Sequence, residues 1–478
     1  MNRRITAGII AILVTAAGAN LAAAQQPSAT SRPATRPNRP NVILFLTDDQ
    51  GWGDLGHHGN PYVRTPKLDT FARAAVEITR FHVSPVCSPT RASLMTGRYN
   101  FRTGVTDVFG PKCQMDPAEV TLAETLRAAG YATGIFGKWH LGDDGPRAPN
   151  AKGFDEALVF RGAVMHPDQY FDPKLLHNGA ETQYKGYCMD VFTESAIEFI
   201  RKNRSRPFFL YLPANLIHTP LKVVDELVAP FKAGGLDHKT AAICGMLTSV
   251  DDNFGLLRGA LEELGLEDNT LLIFTSDNGP CAGSVTTDRY MAGLHGLKGT
   301  VYENGVRVPC FARWPAEFHS PAKVDRLAAH IDIMPTVLDA CGVPPPKGVR
   351  LDGVSLLPLL RNPSASWPDR EIIFQWDAAR VPRRGQACTV LTERWKLVQP
   401  VGMDAPNQQH IRDRYAELCK AQGRGERSIE GLPRYELYDV AANSGETKDL
   451  AAAHPDIVEK MKKQYDAWFD DVCARWLK

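Results

Sequence analysis

The chain has 478 residues, of which 44% are hydrophobic and 23% charged, the proportions of a folded protein long enough for one large α/β domain or two to three smaller ones. Lysine and arginine total 55 against 54 aspartates and glutamates, with no basic run, which argues against a nucleic-acid partner. Ten cysteines with no C-x-x-C pair are too dilute for a disulfide scaffold and wrongly spaced for zinc.

Taken in chain order, the first residues read as a signal peptide. Arg3 and Arg4 precede an apolar stretch, and Ala22-Ala23-Ala24 offers a small-residue cleavage site. Cleavage after residue 24 would export the protein, to the periplasm or beyond, and leave no stable membrane span. The competing reading is an uncleaved anchor, since residues 5–24 are nearly long enough to cross. Residues 25–40, rich in Pro, Ser, Thr and Arg, read as a disordered linker. From residue 41, short apolar runs alternate with helical patterns, the signature of an α/β fold with a large, mostly parallel central sheet flanked by helices. The expected strands are residues 41–47, 131–137, 207–212 and 269–276, each too short for a helix. The expected helices are 66–77, with Thr65 and Pro66 as N-cap and first residue, 122–129, 190–202 and 239–264. After about Trp367 the pattern becomes short strands at 372–376, 388–398 and 435–439 and a helix near 455–468. The expected organisation is a catalytic α/β domain over 41–366 and a small antiparallel α+β subdomain over 367–478.

Each of the four apolar runs ends in polar residues: Asp48-Asp49-Gln50 with Asp54, Lys138-Trp139-His140, Asn215 with His218, and Asp277-Asn278. Loops from neighbouring strands converge at the carboxyl edge of an open α/β sheet, so these clusters point to one site. Asp48, Asp49, Asp277 and Asn278 form an all-oxygen set suited to a hard cation, Ca2+ or Mg2+. A lone Asp pair is more often a solvated turn; two acidic pairs each ending a buried strand reverse that preference. Cys87 precedes Ser88-Pro89-Thr90-Arg91 at the start of a helical pattern, where the helix end and Arg91 favour an anion. A small buried hydrophobe is the bland alternative for this cysteine.

With CSPTRASLMTGR beginning at Cys87, the chain resembles the formylglycine-dependent sulfatases of the alkaline-phosphatase superfamily. The resemblance runs through NVILFLTDDQGWGD, GYATGIFGKWHLG, IHTPL, TSDNG and GLKGTVYENGVRVP to YELYDV, so it spans nearly the whole chain beyond the signal. Thr90 stands where the family more usually has serine, and the acidic turn after YELYDV is replaced by Ala441-Ala442-Asn443. The resemblance implies that a maturation enzyme converts Cys87 to formylglycine, and that Asp48, Asp49, Asp277, Asn278 and residue 87 hold Ca2+, ahead of Mg2+. It further implies that Arg91, Lys138, His140, His218 and Lys298 surround the sulfate of a sulfated carbohydrate or other sulfate ester. Asp277 would assist attack on sulfur, His140 would deprotonate the second hydroxyl so that the aldehyde re-forms and inorganic sulfate is expelled, and His218 with Lys298 would protonate the leaving oxygen.

Two other functions compete: a phosphonate or phosphate ester hydrolase using the same site, and a non-catalytic sulfoglycan-binding protein. Trp52, Trp139, His57, His58, Arg289 and His295 lie near the motifs and read equally as substrate contacts or as packing. Specificity is expected in the loops 141–166 and 279–294. The nine cysteines besides Cys87 are expected to be buried thiols with one or two disulfides.

Overall fold

The structure is a computed structural model and describes residues 39–286, 288–400 and 435–476. The signal segment, nearly all of the linker and Cys419 lie outside these residues. Along the chain the strands are β1 (Asn41–Thr47), β2 (Val76–Ile78), β3 (Phe81–His82), β4 (Ala132–Gly137), β5 (Glu156–Val159), β6 (Lys174–His177), β7 (Ala180–Gln183) and β8 (Phe208–Pro213). There follow β9 (Thr270–Ser276), β10 (Cys310–Arg313), β11 (Ala322–Val324), β12 (Ala328–Ala329), β13 (Ile372–Gln375), β14 (Cys388–Leu391), β15 (Trp395–Gln399) and β16 (Glu436–Asp439). The helices are α1 (Pro66–Arg73), α2 (Cys87–Thr96), α3 (Leu122–Ala128), α4 (Cys188–Asn203), α5 (Asp225–Ala233), α6 (His238–Glu263), α7 (Glu303–Val306), α8 (Ile333–Ala340), α9 (Leu357–Arg361) and α10 (Pro455–Val472).

The apolar run of β1 is buried along its whole length because the strand lies at the centre of a ten-stranded sheet. Parallel neighbours flank it on both sides, with Leu44 opposite Tyr211 of β8 and Ile273 of β9. Alternate residues of a strand point to opposite faces. Val42, Leu44 and Leu46 therefore enter one core layer with α2, α3, α8 and α9, while Ile43 and Phe45 enter the other with α1, α4 and α6. Burial of each such side chain is worth about 1.5–3 kcal/mol, so β1 anchors both layers at once. The sheet order is β11-β2-β10-β9-β1-β8-β4-β5-β6-β7, parallel from β9 to β5 and antiparallel where β10, β6 and β7 join. The expected fold class is borne out: a mixed, mostly parallel sheet between helices, with a small antiparallel four-stranded sheet, β13-β14-β15-β16, near the C-terminus.

Several element boundaries differ from the sequence reading for identifiable reasons. Helix α1 ends at Arg73, and Glu77, expected in its last turn, lies in β2 between β10 and β11. Thr65 does occupy the N-cap, but its hydroxyl donates to Asp69 at 3.0 Å instead of accepting from the helix backbone. The run 388–398 folds into two strands, because Thr392 and Trp395 close a tight turn through mutual hydrogen bonds. At α3 Thr121 and Glu124 make a reciprocal capping box. All nine cysteines among the described residues are free thiols, so the expected disulfides are not found there. No helix among the described residues is long and apolar enough to cross a membrane.

The small sheet is tied to the large one by a buried ionic cluster. Lys396 of β15 lies 2.8 Å from Glu303 of α7 and 3.0 Å from Glu446, and Glu446 accepts the Glu303 backbone N–H at 2.8 Å. Burial pushes the Glu446 carboxyl up to about 7, whereas Lys396 and His82 outweigh burial at Glu303 and keep it ionised. Removing one partner of such a cluster strands the others in low dielectric. Lys396→Met is expected to lower unfolding free energy by about 3–5 kcal/mol near pH 7.5 in urea titrations. The deficit should shrink as pH falls toward 4.5, the ordinary glutamate value, because the stranded carboxyls then take up protons in both states.

Candidate active site

The carboxyl ends of β1, β4, β8 and β9 bring the expected polar clusters to one edge of the sheet. Glycine permits two of the close approaches there. A Cβ on Gly137, whose φ is 133°, would lie 2.0 Å from the Pro213 carbonyl oxygen, and that carbonyl accepts the Lys138 N–H at 2.7 Å. A Cβ on Gly279 would lie 1.7 Å from the Asn304 carbonyl oxygen, so only glycine lets the turn after Asp277-Asn278 pack against α7. Asp49 and His140 have φ of 64° and 62°, the left-handed region that non-glycine residues rarely occupy. Such backbone strain concentrates at functional sites.

Acids and bases alternate in the buried floor. Lys138 Nζ lies 2.6 Å from Asp48 Oδ2, and Lys298 Nζ lies 2.5 Å from Asp49 Oδ1. Arg91 Nε and Nη2 donate to Asp277 Oδ2 at 3.0 and 2.7 Å. Asp277 Oδ1 accepts the Asp49 N–H at 3.2 Å, and Asn278 Nδ2 donates to Asp49 Oδ1 at 2.7 Å. Burial pulls Asp48 and Asp49 upward, yet Lys138 and His218 at Asp48, with Lys298 and His218 at Asp49, hold both below the usual carboxylate range. Asp277 goes the other way: burial and the neighbouring Asp48 charge push it up to about 7 despite Arg91.

Three buried acceptors of this floor have no hydrogen-bond partner among the described residues: Asp48 Oδ1, Asp49 Oδ2 and Asn278 Oδ1. Buried oxygens left unpaired cost about 1–3 kcal/mol each, more when charged, and a bound cation would satisfy them. The Asp48 and Asp277 carboxylates and Cys87 Sγ lie within 4.8 Å of one another, as do Asp48, Asp49 and His218. Cys87 is the first residue of α2, with Val86 at the N-cap, and burial raises its thiol pKa. It therefore lacks the depressed pKa of a cysteine nucleophile.

Above the floor opens a cavity of about 300 Å3 lined by Cys87, His140, His218 and Lys298. His140 Nε2 bonds the Val108 carbonyl at 2.8 Å, so Nε2 carries the proton and Nδ1 the lone pair, which has no partner among the described residues. Burial and Lys138 hold His140 well below the ordinary histidine value, hence neutral at pH 7. His218 Nδ1 bonds the Thr219 carbonyl at 2.5 Å and its Nε2 lies 3.7 Å from Asp49 Oδ2. Lys138 and Arg91 are fully buried beneath the cavity and do not line it. Arg91, expected beside the sulfate, spends its donors on Asp277 and, through Nη1, on the Lys138 carbonyl at 2.8 Å. Asn215 turns away toward Met165 and Cys188.

Of the two expected specificity loops, Ala163, Val164, Cys281 and Ala282 reach the cavity wall. Asp107, Val108, Phe109 and Trp376 also line it and carry no sequence signal, since they come from irregular segments without a motif. Trp376 follows β13, so the small sheet contributes to the wall, and its indole N–H donates to Asp107 at 3.2 Å. Arg289, ambiguous in sequence, is a packing residue: it bonds Asp54, Ser284 and the Asp49 carbonyl and so braces the strained turn. Trp139 is buried and donates to the Arg147 carbonyl at 3.0 Å.

A strand-end floor of paired charges with unpartnered oxygens, below a cavity holding a cysteine and two histidines, defines an α/β enzyme site for an anionic substrate. The chain belongs to the sulfatase family: the family described as Sulfatase matches residues 40–343, and the one described as N-sulphoglucosamine sulphohydrolase, C-terminal, matches residues 293–414. Human arylsulfatase A is 31% identical over 89% of this chain and 86% of its own. N-acetylgalactosamine-6-sulfatase of Sus scrofa is 31% identical over 73% of this chain and 69% of its own. The crystal structure of Ps i-CgsB in complex with k-i-k-neocarrahexaose has a TM-score of 0.77 and 27% identity, covering 90% of this chain and 93% of that one. The protein is thus a sulfuric ester hydrolase of the arylsulfatase type.

Gly279→Ala tests the close packing behind the floor. The new Cβ must displace the Asp277-Asn278 turn, and kcat/KM for an aryl sulfate is expected to fall about 10²-fold, with the far-UV circular dichroism spectrum unchanged.

Proposed function

We propose that the protein releases inorganic sulfate from sulfated carbohydrates, using a formylglycine made from Cys87 by a maturation enzyme and a Ca2+ ion. Asp48, Asp49, Asp277, Asn278 and residue 87 would hold the ion. The observation that carries this reading is a set of buried oxygens of Asp48, Asp49 and Asn278 without hydrogen-bond partners among the described residues, with Asp48 and Asp277 each placing a carboxylate oxygen within 4.8 Å of Cys87 Sγ, a hard-donor set that suits Ca2+. The carbohydrate class is supported by a relative named for N-acetylgalactosamine 6-sulfate and by a similar structure holding neocarrahexaose. A cavity of about 300 Å3 suits one sugar-sized group. Export, as read from the N-terminal segment, is consistent with an extracellular polysaccharide substrate.

The cation, when bound, supplies positive charge beside the ester oxygens. The hydrated aldehyde at 87 supplies two hydroxyls on one carbon, one to attack sulfur in line and one whose deprotonation expels sulfate. Lys298, the one base of the floor that reaches the cavity, offers its ammonium to a non-bridging sulfate oxygen. Lys138 and Arg91 act from beneath, compensating Asp48 and Asp277 and fixing their directions. Asp277, within reach of residue 87, suits acceptance of a proton from the attacking hydroxyl. His140, neutral and with its lone pair fixed at Nδ1, suits removal of the second hydroxyl proton. His218 commits its Nδ1–H to Thr219, so it serves as acid only when also protonated at Nε2; burial opposes that charge and Asp49 favours it.

Mass analysis of the peptide containing residue 87 is expected to show the aldehyde in active enzyme; an unmodified thiol at full activity would falsify the mechanism. Cys87→Ser should give a single turnover and then stall, since an alkyl sulfate on serine lacks the second hydroxyl. Chelation should abolish hydrolysis and Ca2+ restore it. Turnover of aryl sulfate should exceed that of aryl phosphate mono- and diesters, and the reverse preference would favour the phosphoester reading.

A further inference from the structure

A second group of metal-type side chains lies outside the floor. We propose that His57, His58 and Glu77 form a binding site for a borderline divalent transition-metal ion such as Zn2+, separate from the oxygen cluster of Asp48, Asp49 and Asp277. His58 Nε2 lies 3.0 Å from Glu77 Oε1 and His57 Nε2 lies 3.4 Å from Glu77 Oε2, with the three ligand atoms within 4.8 Å of one another. Ligands bound at about 2.0–2.1 Å in a tetrahedron are separated by about 3.3 Å, and each histidine nitrogen meets one oxygen of Glu77 at close to that spacing. Two imidazoles and a carboxylate with a fourth position left to water is a zinc-type donor set.

The surroundings of His58 supply an independent argument. Its Nδ1 lies 2.7 Å from the Trp52 carbonyl, which can only accept, so Nδ1 carries a proton and Nε2 is the atom that faces Glu77. Nε2 thus meets a carboxylate oxygen, a contact that a proton or a metal cation between the two atoms makes favourable. Metal-ligating histidines are held in this way, the distal N–H donated to a backbone carbonyl. The ring is also fixed by stacking on Trp52, with centroids 3.9 Å apart and planes 6° apart. The backbone of His57 is fixed by its N–H, which donates to Asp69 at 2.9 Å. Glu77 is buried in β2, while the His57 side chain is 17% exposed and gives access from solvent.

Two cations compete. Lys323 lies 3.2 Å from Glu77 Oε2 on a side chain that is 71% exposed, so it can swing into solvent when the metal enters. Arg307 stacks over Trp52 at 4.4 Å and stays in place. Without metal, Glu77 is therefore paired with Lys323. Once bound, the ion would fasten the loop after β1, which also carries Asp48 and Asp49, to β2.

The test uses the full protein saturated with Ca2+, titrated with Co2+ as a spectroscopic probe and with Zn2+. The parent should develop the visible absorption of low-symmetry Co2+, saturating at one equivalent, and Zn2+ should raise its melting temperature by several degrees. Glu77→Gln, which keeps the side-chain shape, and His57→Ala should each lose both signals while hydrolysing aryl sulfate at the parent rate. Absence of both signals in the parent would overturn the proposal. So would a Co2+ band of undiminished strength in both variants, which would place the ion at the cavity histidines.

Discussion

The charge balance of a wholly buried floor governs this structure. Asp48, Asp49 and Asp277 are taken out of water together, and each is met by one base from another segment of the chain: Lys138 after β4, Lys298 ahead of α7, Arg91 in α2. Isolated carboxylates could not remain ionised at such depth. The pairs therefore fix the relative placement of the loops after β1, β4 and β9 and the start of α2, which is where Cys87 stands. The three pairs do not saturate the floor: oxygens of Asp48, Asp49 and Asn278 have no hydrogen-bond partner among the described residues, and the Asp48 and Asp277 carboxylates lie within 4.8 Å of Cys87 Sγ. Fold stability and ligand chemistry are thus the same electrostatic arrangement seen from below and from the cavity.

The second constraint is steric. Closing the floor demands backbone approaches that side chains would block, at Gly137 against Pro213 and at Gly279 against Asn304. It also demands left-handed backbone at Asp49 and His140. These conformations persist because neighbouring contacts fix them: Arg289 grips the Asp49 carbonyl and Asp54, and Ser88 of α2 donates to the His140 carbonyl at 3.1 Å. The helix that presents Cys87 therefore also holds the turn that presents His140. Rigidity of this kind aims the neutral Nδ1 of His140 and keeps donors preorganised without reorganisation during reaction.

How far the sequence could be read follows from the same physics. The buried central strands were legible because burial on both faces leaves an unbroken apolar run, and the polar residues ending each run therefore stood out. The edges of the sheet were not: β2, β10 and β11 are only three or four residues long, and Val76-Glu77-Ile78 has no period that separates it from the end of a helix. Assigning Glu77 to α1 hid its meeting with His57 and His58, which arises only when β2 pairs with β10. Arg91 was read as a partner of an anion; side-chain direction depends on tertiary surroundings, and the structure pairs it with the Asp277 carboxylate. Trp376 and Phe109 were invisible because a lone aromatic in an irregular segment reads as packing until its neighbours are known.

The division between floor and wall explains how one chemistry accommodates different substrates. Floor residues come from motifs whose spacing is locked to strand ends, and altering one of them unbalances a buried pair. Wall residues come from separate segments: the Asp107–Phe109 loop, Ala163 and Val164, Cys281 and Ala282, and Trp376 from the small sheet. Apart from Asp107, which is paired with Lys112, substitution there changes cavity shape without unpairing a charge. The Trp376–Asp107 hydrogen bond, and Lys112, whose ammonium bonds both Asp107 and the Ala378 carbonyl, join two of these segments. The small C-terminal sheet is therefore more than an appendage. Through Lys396 it is anchored to α7 and Glu446, and through Trp376 it shapes the wall of the cavity above the floor.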